Sequence, residues 1–282
     1  MSAPGPLLLI SAQRTSTALL LTEAATRRGL ATAVLTGPDA VRTLTGRAVH
    51  WYGGPHLADR VAGPLRLGLL EPPDDWLARL PPSLLHRRVE LMTHAEAARR
   101  RPGRAFFVKP PSDKSFPPGV HTDGKQLPPA APRTPVLVSD VVSFAAEYRL
   151  FLLDGTLTAA TRYAVHGRLD PAPLPADPLA PDVRAFATRL AEHAPLPTAA
   201  TVDVGLLDDG RWAVVEANMP WFAHSYAADP DGVLEVVRRA AGPLARVADG
   251  DRRYLRPAPG ATPHGDASCR LGDASCRLGD AS

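Results

Sequence analysis

Short apolar runs alternate with amphipathic stretches through residues 6–101. This pattern predicts helices at 15–29, 38–44, 55–62, 73–80 and 95–101, and strands at 6–10, 31–35, 48–52, 66–70 and 88–92. Strands that alternate with helices predict a parallel, Rossmann-like sheet. The turn after the first strand reads Ser11-Ala-Gln-Arg14 and lacks a glycine fingerprint, so the sequence does not support a dinucleotide cofactor.

The pattern changes to antiparallel strands from residue 104 onward. Strands are expected at 104–109 and 135–142, and Asp154-Gly155 predicts a type I′ hairpin between 147–153 and 156–164. A Pro-rich connector is expected at 167–181. Helices follow at 181–193 and 231–244, the first with Val183, Phe186, Ala187 and Leu190 on one face. The chain is therefore expected to combine an α/β part with α+β lobes.

A hairpin over 201–218 carries the most informative polar residues. Asp209-Gly210 predicts a two-residue type I′ turn, which places Asp203 opposite Glu216, with Asn218 on the same face. No basic residue of the hairpin interrupts that face. Two carboxylates at this spacing repel unless a cation lies between them, and hard oxygen ligands of this kind suit Mg²⁺. The alternative is an exposed polar edge without a ligand.

Composition restricts the class of protein. The chain has 282 residues, of which 45% are hydrophobic and 22% charged, enough for one large or two moderate domains. No apolar run is long enough for a membrane span or a signal peptide, so a cytoplasmic location without membrane contact is expected. Basic residues are scattered, which argues against nucleic-acid binding.

Lysine is rare in this chain. Of 32 basic residues only three are lysines, namely Lys109, Lys114 and Lys125, and the other 29 are arginines. A compact ammonium group is therefore expected to matter in this region, although chance clustering in one loop is the alternative.

The C-terminal stretch 257–282 contains a perfect short repeat, Gly265-Asp-Ala-Ser-Cys-Arg-Leu followed by the same residues from Gly272. Its low apolar content predicts a disordered tail, with a docking role as the alternative. Both cysteines lie there, so a disulfide framework is not expected.

The order of these pieces resembles the ATP-grasp superfamily, to which D-alanine–D-alanine ligase and glutathione synthetase belong. The segments FFVKPPSDKSF, AAEYRLFLLDGTLTAATRY and VVEANMPWFAHSYAADP resemble the clade named for one arginine and two lysines. The resemblance covers roughly residues 1–245. It implies a Rossmann-like pre-grasp domain at 1–102 and a grasp domain at 103–247, with a small lobe at 103–142 and a large lobe at 143–247.

The resemblance also implies roles for individual residues. Lys109 and Lys114 would hold ATP phosphates, and Glu147 the ribose. The linker strand, with Ser139, Asp140 and Val141, would pair with adenine. Asp203, Glu216 and Asn218 would bind Mg²⁺ or Mn²⁺.

Two arginines are candidates for the catalytic charge. Thr201 stands where many ligases of the superfamily carry an arginine, so the transition state needs another cation. Arg149 and Arg162 lie in adjacent strands at positions that could share a face. Each could equally be a structural cation.

The implied activity is an ATP-dependent carboxylate–amine ligase with an acyl-phosphate intermediate, in specialised metabolism or peptide modification. Its partners would be a small-molecule or peptide carboxylate and an amine, and the protein could be a homodimer. The alternatives are a kinase-like phosphotransferase and a non-catalytic nucleotide-binding or interaction protein. Trp221, Phe222, His224 and Tyr226 would either select the substrate or form a packed corner.

Overall fold

A three-stranded parallel sheet begins the chain. The computed structural model describes residues 5–13, 15–111 and 116–257. Strands and helices alternate as β1 (Leu7–Ser11), α1 (Ser16–Arg27), β2 (Ala31–Leu35), α2 (Pro38–Thr43), β3 (Val49–Tyr52) and α3 (Pro55–Leu65). The strand order is β2-β1-β3, with both pairings parallel. The parallel pairings confirm the Rossmann-like pattern for these elements. The central strand β1 is buried along its whole length.

The fourth apolar run does not extend this sheet. Strand β4 (Leu67–Leu69) instead pairs antiparallel with β14 (Ala241–Pro243) from the far end of the chain. Gly68 and Gly242 face each other in this pair, and a Cβ at Gly68 would lie 2.4 Å from a methyl group of Val247. The partner of β4 is therefore decided by the close approach of a segment far away in the sequence. The pattern of apolar residues around β4 does not reveal that contact.

A four-stranded antiparallel sheet forms the second unit. Its strands are β5 (Val89–Thr93), β6 (Phe106–Lys109), β7 (Gly119–His121) and β8 (Pro135–Asp140), in the order β5-β8-β6-β7. The short helices α4 (Pro82–Leu85) and α5 (His94–Ala98) flank β5, and Thr93 with Glu96 forms a capping box at the start of α5. Strand β5 thus pairs with β8, although it precedes the expected domain boundary at residue 102. The domain division itself stays a prediction.

A five-stranded antiparallel sheet forms the third unit. Its strands are β9 (Phe144–Leu153), β10 (Thr156–Val165), β11 (Arg168–Pro173), β12 (Ala199–Leu207) and β13 (Trp212–Asn218), in the order β11-β10-β9-β12-β13. Helix α6 (Ala180–His193) packs with Leu150 and Leu152 on one face, and α7 (Pro230–Ala240) with Phe151 on the other. No helix in the described ranges has the length and apolar character needed to cross a membrane.

Two tight turns shape this sheet. Asp154 and Gly155 both have positive φ (49° and 74°), which confirms the type I′ hairpin. A second turn of this kind, His166-Gly167 with φ of 45° and 71°, leads into β11. That strand was expected to be part of an irregular connector, and this expectation is wrong.

The last hairpin has a different turn from the one expected. Leu207 N donates to Arg211 O at 2.8 Å, so the loop holds three residues, and of these Gly210 alone has positive φ. A bulge between Asp203 and Val204 then shifts the register by one residue. Asp203 therefore still faces Glu216 as expected.

Candidate functional site

Asp203 lies at the centre of a polar patch on the five-stranded sheet. Its side chain is 1% exposed, and Arg149, its cross-strand neighbour on β9, binds both carboxylate oxygens at 2.8 and 2.7 Å. Burial raises the pKa of Asp203, and the Arg149 guanidinium opposes that rise. Arg149 of the neighbouring strand β9 thus supplies the positive charge that Asp203 requires.

The second carboxylate has a different cation. The Lys109 ammonium, at the end of β6 in the four-stranded sheet, forms an ion pair with Glu216. Although burial acts against it, this ammonium group holds the pKa of Glu216 below its ordinary value. Asn218 Nδ2 donates to Asp203 Oδ2 at 3.0 Å and to Glu216 Oε1 at 3.2 Å. Asp203, Glu216 and Asn218 therefore converge as expected, and Lys109 links the two sheets at this point.

Two tyrosines cover Arg149. The rings of Tyr163 and Tyr226 stack at 5.4 Å with an interplanar angle of 14°, and Arg149 lies 5.6 and 5.2 Å from their centroids. Tyr163 also donates to Glu147 Oε2 at 2.7 Å. Burial raises the pKa of Glu147, and the nearby charges of Asp203 and Glu216 add to that rise. Glu147, half-buried, therefore belongs to the same polar patch.

Sequence reasoning missed Tyr163 as a member of this patch. It lies at a register shift between Arg162 and Ala164, where counting from the hairpin turn gives the wrong face. The backbone of Tyr226 adopts φ of +47°, an uncommon conformation for a tyrosine that occurs more often at functional sites than elsewhere.

Arg162 lies on the opposite face from Arg149. A bulge between Leu157 and Ala159 shifts the register of β9 and β10, so Arg162 pairs with Tyr148 instead of Glu147. The guanidinium of Arg162 binds Asp177 at 2.7 Å and Asp170 at 2.9 Å. The expectation that the two arginines share a face is therefore wrong, whereas the catalytic role expected for Arg162 stays a prediction.

The segment 219–226 connects the patch with the first sheet. Trp221 is fully buried and donates to Leu70 O at 3.0 Å, so it belongs to the core. Arg149 Nη1 donates to His224 O at 3.1 Å, and the His224 ring is hydrogen-bonded to Thr17 Oγ1 at 3.2 Å. The start of α1 and the polar patch are thus joined by this segment, in which Phe222 is exposed.

The linker residues Ser139, Asp140 and Val141, at and after the end of β8, lie away from the polar patch. Ser139 donates to Asp140 O at 3.1 Å, the Asp140 carboxylate accepts from Arg88 N at 3.0 Å, and Val141 is exposed. Asp140 pairs with Phe106, at the opposite end of β6 from Lys109. The roles expected for Ser139, Asp140 and Val141 stay predictions. Lys114 and residues 258–282 of the tail lie outside the described residues.

The donor set of the patch limits the metals that it could hold. Within the described ranges, no group of three or more His, Cys, Asp and Glu side chains is arranged for a metal ion. The candidate set is instead two carboxylates and one amide, all hard donors, which suit Mg²⁺ and Mn²⁺ better than thiophilic metals.

A family comparison decides the classification. Residues 84–236, more than half of the chain, match the sequence model of an ATP-grasp domain, the second family of the clade named for one arginine and two lysines. The chain belongs to this ATP-grasp family. The matched range contains Lys109, Glu147, Arg149 and all three expected metal ligands. No curated protein matches the chain in sequence.

Solved ATP-grasp structures share the architecture. D-cycloserine synthetase DcsG aligns with a TM-score of 0.51 at 18% identity, over 84% of this chain and 100% of that one. D-alanine–D-alanine ligase from Bacillus anthracis gives 0.47 at 12% identity, over 86% and 98%. ATP-grasp ligase PsnB, complexed with precursor peptide PsnA2 and AMPPNP, gives 0.47 at 13% identity, over 84% and 97%. At these sequence identities the likeness concerns the fold alone. Nothing further is inferred from the two structures with a TM-score of 0.47.

Proposed function

We propose that this ATP-grasp protein is an ATP-dependent ligase that joins a carboxylate to an amine through an acyl phosphate. The observation that carries the proposal is the convergence of Asp203, Glu216 and Asn218 with two cations, Arg149 and Lys109, at the junction of two sheets. Phosphoryl transfer requires little covalent chemistry from a protein and depends on positioned charges. This arrangement of charges meets that requirement.

The patch fits a divalent cation. Asp203 and Glu216 would hold Mg²⁺, with Mn²⁺ as a substitute. The amide oxygen of Asn218 would join them after the amide turns, because in this structure its nitrogen faces both carboxylates. The ion pairs of Asp203 with Arg149 and of Glu216 with Lys109 support this proposal, because both carboxylates face positive charge. When bound, the ion supplies positive charge to the phosphate oxygens of ATP.

The lysine is suited to move between two partners. Lys109 is a flexible side chain whose ammonium is attached to Glu216 in this structure. We propose that the Lys109 ammonium group leaves Glu216 and binds an ATP phosphate when the nucleotide binds. Lys114 would bind the phosphates as well. Glu147 would accept hydrogen bonds from the ribose hydroxyls, held in place by the hydroxyl of Tyr163. Ser139, Asp140 and Val141 would line the adenine.

The chemistry then takes two steps. A carboxylate oxygen of the substrate attacks the γ-phosphorus, a new P–O bond forms, and ADP leaves with the electron pair of the broken bond. The amine nitrogen next attacks the acyl carbon, the C–N bond forms as the bond to phosphate breaks, and the amine releases a proton. Arg149, which binds Asp203 beside the proposed metal site, would balance charge that develops on the phosphoryl oxygens.

The acceptor side is proposed to lie at 219–226. His224 connects Arg149 with Thr17 at the start of α1, and Tyr226 covers Arg149. A carboxylate or peptide bound along this segment would therefore lie next to the proposed phosphate site. The cytoplasmic location and the homodimer remain predictions.

An ADP-release assay tests this proposal. The purified chain is incubated with Mg·ATP and a panel of amino acids, peptides and amines, and products are identified by mass spectrometry. We expect ADP release that requires a carboxylate and increases with an amine. Glu216→Gln should abolish it, whereas Asp209→Asn, in the exposed hairpin turn, should not.

Other outcomes would replace the proposal. A stable phosphorylated product without amine dependence would identify a phosphotransferase. Absence of ATP binding by calorimetry in the folded protein would indicate a non-catalytic role.

A further inference from the structure

A second cleft lies away from the polar patch. It has a volume of about 220 Å³ and lies between β3, the end of α7 and the segment that follows β14. Its lining combines the polar residues His50, Glu235, Arg238, Arg239 and Arg246 with Leu153, Gly242, Pro243 and Val247. None of these residues belongs to the patch around Asp203.

Two buried nitrogens in this lining have no hydrogen-bond partner among the described residues, namely His50 Nε2 and Arg238 Nε. His50 is 6% exposed, and its Nδ1 is hydrogen-bonded to Arg238 O at 2.8 Å. Because that carbonyl can only accept, Nδ1 carries a hydrogen, and Nε2 is left for another partner. A buried polar atom without a partner is unfavourable, so a ligand that satisfies it would be favoured.

Close backbone packing fixes the His50 ring. A Cβ at Gly242 would lie 2.8 Å from Arg238 O and 3.0 Å from His50 Nδ1. A side chain at this position would therefore displace the ring or the carbonyl group. Glycine lets β14 approach the histidine and keeps its second nitrogen in a fixed place.

The lining carries an excess of positive charge. Glu235 is shared between Arg238, at 3.3 Å, and Arg28, the residue that follows α1, so it does not fully neutralise either arginine. Arg239 binds Asp154 at 3.0 Å. The side chain of Arg246 is exposed and has no hydrogen bond or ion pair within the described part of the chain. The cleft therefore has more guanidinium groups than carboxylates to pair with them.

We propose that this cleft binds a small oxyanion, either inorganic phosphate or the phosphate or carboxylate group of a small metabolite. Guanidinium groups bind such anions with paired hydrogen bonds, and Arg238 and Arg246 both lie close enough to His50 to influence its charge. A bound anion favours the protonated imidazole, which then donates from Nε2 to an anion oxygen. The apolar side chains of Leu153 and Val247 leave room for a short carbon skeleton.

This proposal does not depend on the proposed ligase activity. Burial lowers the pKa of His50, and the neighbouring Arg238 and Arg246 lower it further. Anion binding should reverse that effect, so the His50 ring reports directly on occupancy of the cleft. The other charged groups around the cleft are Glu235 and Arg239 of α7, Asp154, which pairs with Arg239, and Arg28, which follows α1 and pairs with Glu235 and with Asp231 of α7.

The test uses the full chain with isotope-labelled histidine, in buffer free of magnesium and nucleotide. Inorganic phosphate and, separately, citrate are titrated while the His50 ring resonances are followed by NMR. We expect a saturable shift and a rise in the pKa of His50. A response to phosphate alone identifies a phosphate site, and a stronger response to citrate identifies a carboxylate site.

Matched variants locate the binding. Arg246→Gln removes an exposed arginine without a partner in the described structure, so the fold should be kept while affinity falls by about tenfold. Arg211→Gln, in the distant hairpin turn, and Lys109→Met, in the polar patch, should leave the His50 response unchanged. The proposal is overturned if His50 shows no saturable response, or if Arg211→Gln weakens it as much as Arg246→Gln does.

Discussion

The ion pair between Arg149 and Asp203 should contribute strongly to stability in the absence of ligands. The Asp203 side chain is 1% exposed and that of Arg149 10% exposed, and two short hydrogen bonds join them. Removal of one partner from such a buried pair leaves an uncompensated charge and costs about 3–5 kcal/mol. We therefore expect Arg149→Met to lower the free energy of unfolding by about that amount at pH 7.

Urea unfolding followed by circular dichroism measures this cost. The control is Arg211→Met, which breaks an ion pair with Asp209 whose side chains are 53% and 51% exposed, so it should cost much less than Arg149→Met. The double variant Arg149→Met with Asp203→Asn should cost less than the sum of the single variants, because no unpaired charge remains buried. If Arg149→Met costs no more than the control, the buried pair contributes no more to stability than an exposed one, contrary to this expectation.

Three further predictions concern the patch and its surroundings. Glu147→Gln should raise the free energy of unfolding at pH 7 by up to about 1 kcal/mol and weaken ATP binding. Because the pKa of Glu147 is raised above 4.5, its ionised form destabilises the fold at pH 7, and the gain should vanish in thermal unfolding at lower pH, where Glu147 is protonated. Lys109→Met should show the opposite sign, a loss of about 1 kcal/mol at pH 7 that vanishes as the pH falls below 4.5, because this lysine lowers the pKa of Glu216. Gly53→Ala should cost about 1–3 kcal/mol in urea unfolding, since its Cβ would lie 2.5 and 2.6 Å from neighbouring side-chain atoms, whereas Gly63→Ala meets nothing within 4 Å and should not destabilise.

The sequence predicted those elements whose structure depends on neighbouring residues in the chain. The alternation of apolar and amphipathic stretches predicted β1 to β3 with their helices, and Asp154-Gly155 predicted the hairpin of β9 and β10. It was insufficient where a strand chooses a distant partner. Strand β4 pairs with β14, and β5 with β8, across connections that no periodicity encodes.

The cations of the site show the same limit. The hairpin by itself presents two carboxylates without a basic residue on their face, which correctly predicted a need for positive charge. The pattern could not show that Lys109 arrives from another sheet or that Arg149 faces Asp203 on an adjacent strand. Those contacts depend on sheet order, which is a property of the whole fold.

Bulges decide which polar residues share a face, and the sequence does not mark them. Arg162 was assigned to the wrong face because one bulge in β10 shifts the register. Asp203 and Glu216 were assigned correctly although the turn was wrong, because the three-residue loop and the bulge beside Asp203 offset each other.

Arg87 explains why that second bulge is stable. The extra residue on β13 interrupts the ladder of backbone hydrogen bonds, and unpaired carbonyl groups there would be costly. Arg87 donates to Val214 O at 2.7 Å and to Val215 O at 3.1 Å. Burial lowers the pKa of this guanidinium to about 10, so it stays charged at neutral pH. Arg87, half-buried and far from the hairpin in the sequence, therefore supports the register that places Glu216 opposite Asp203.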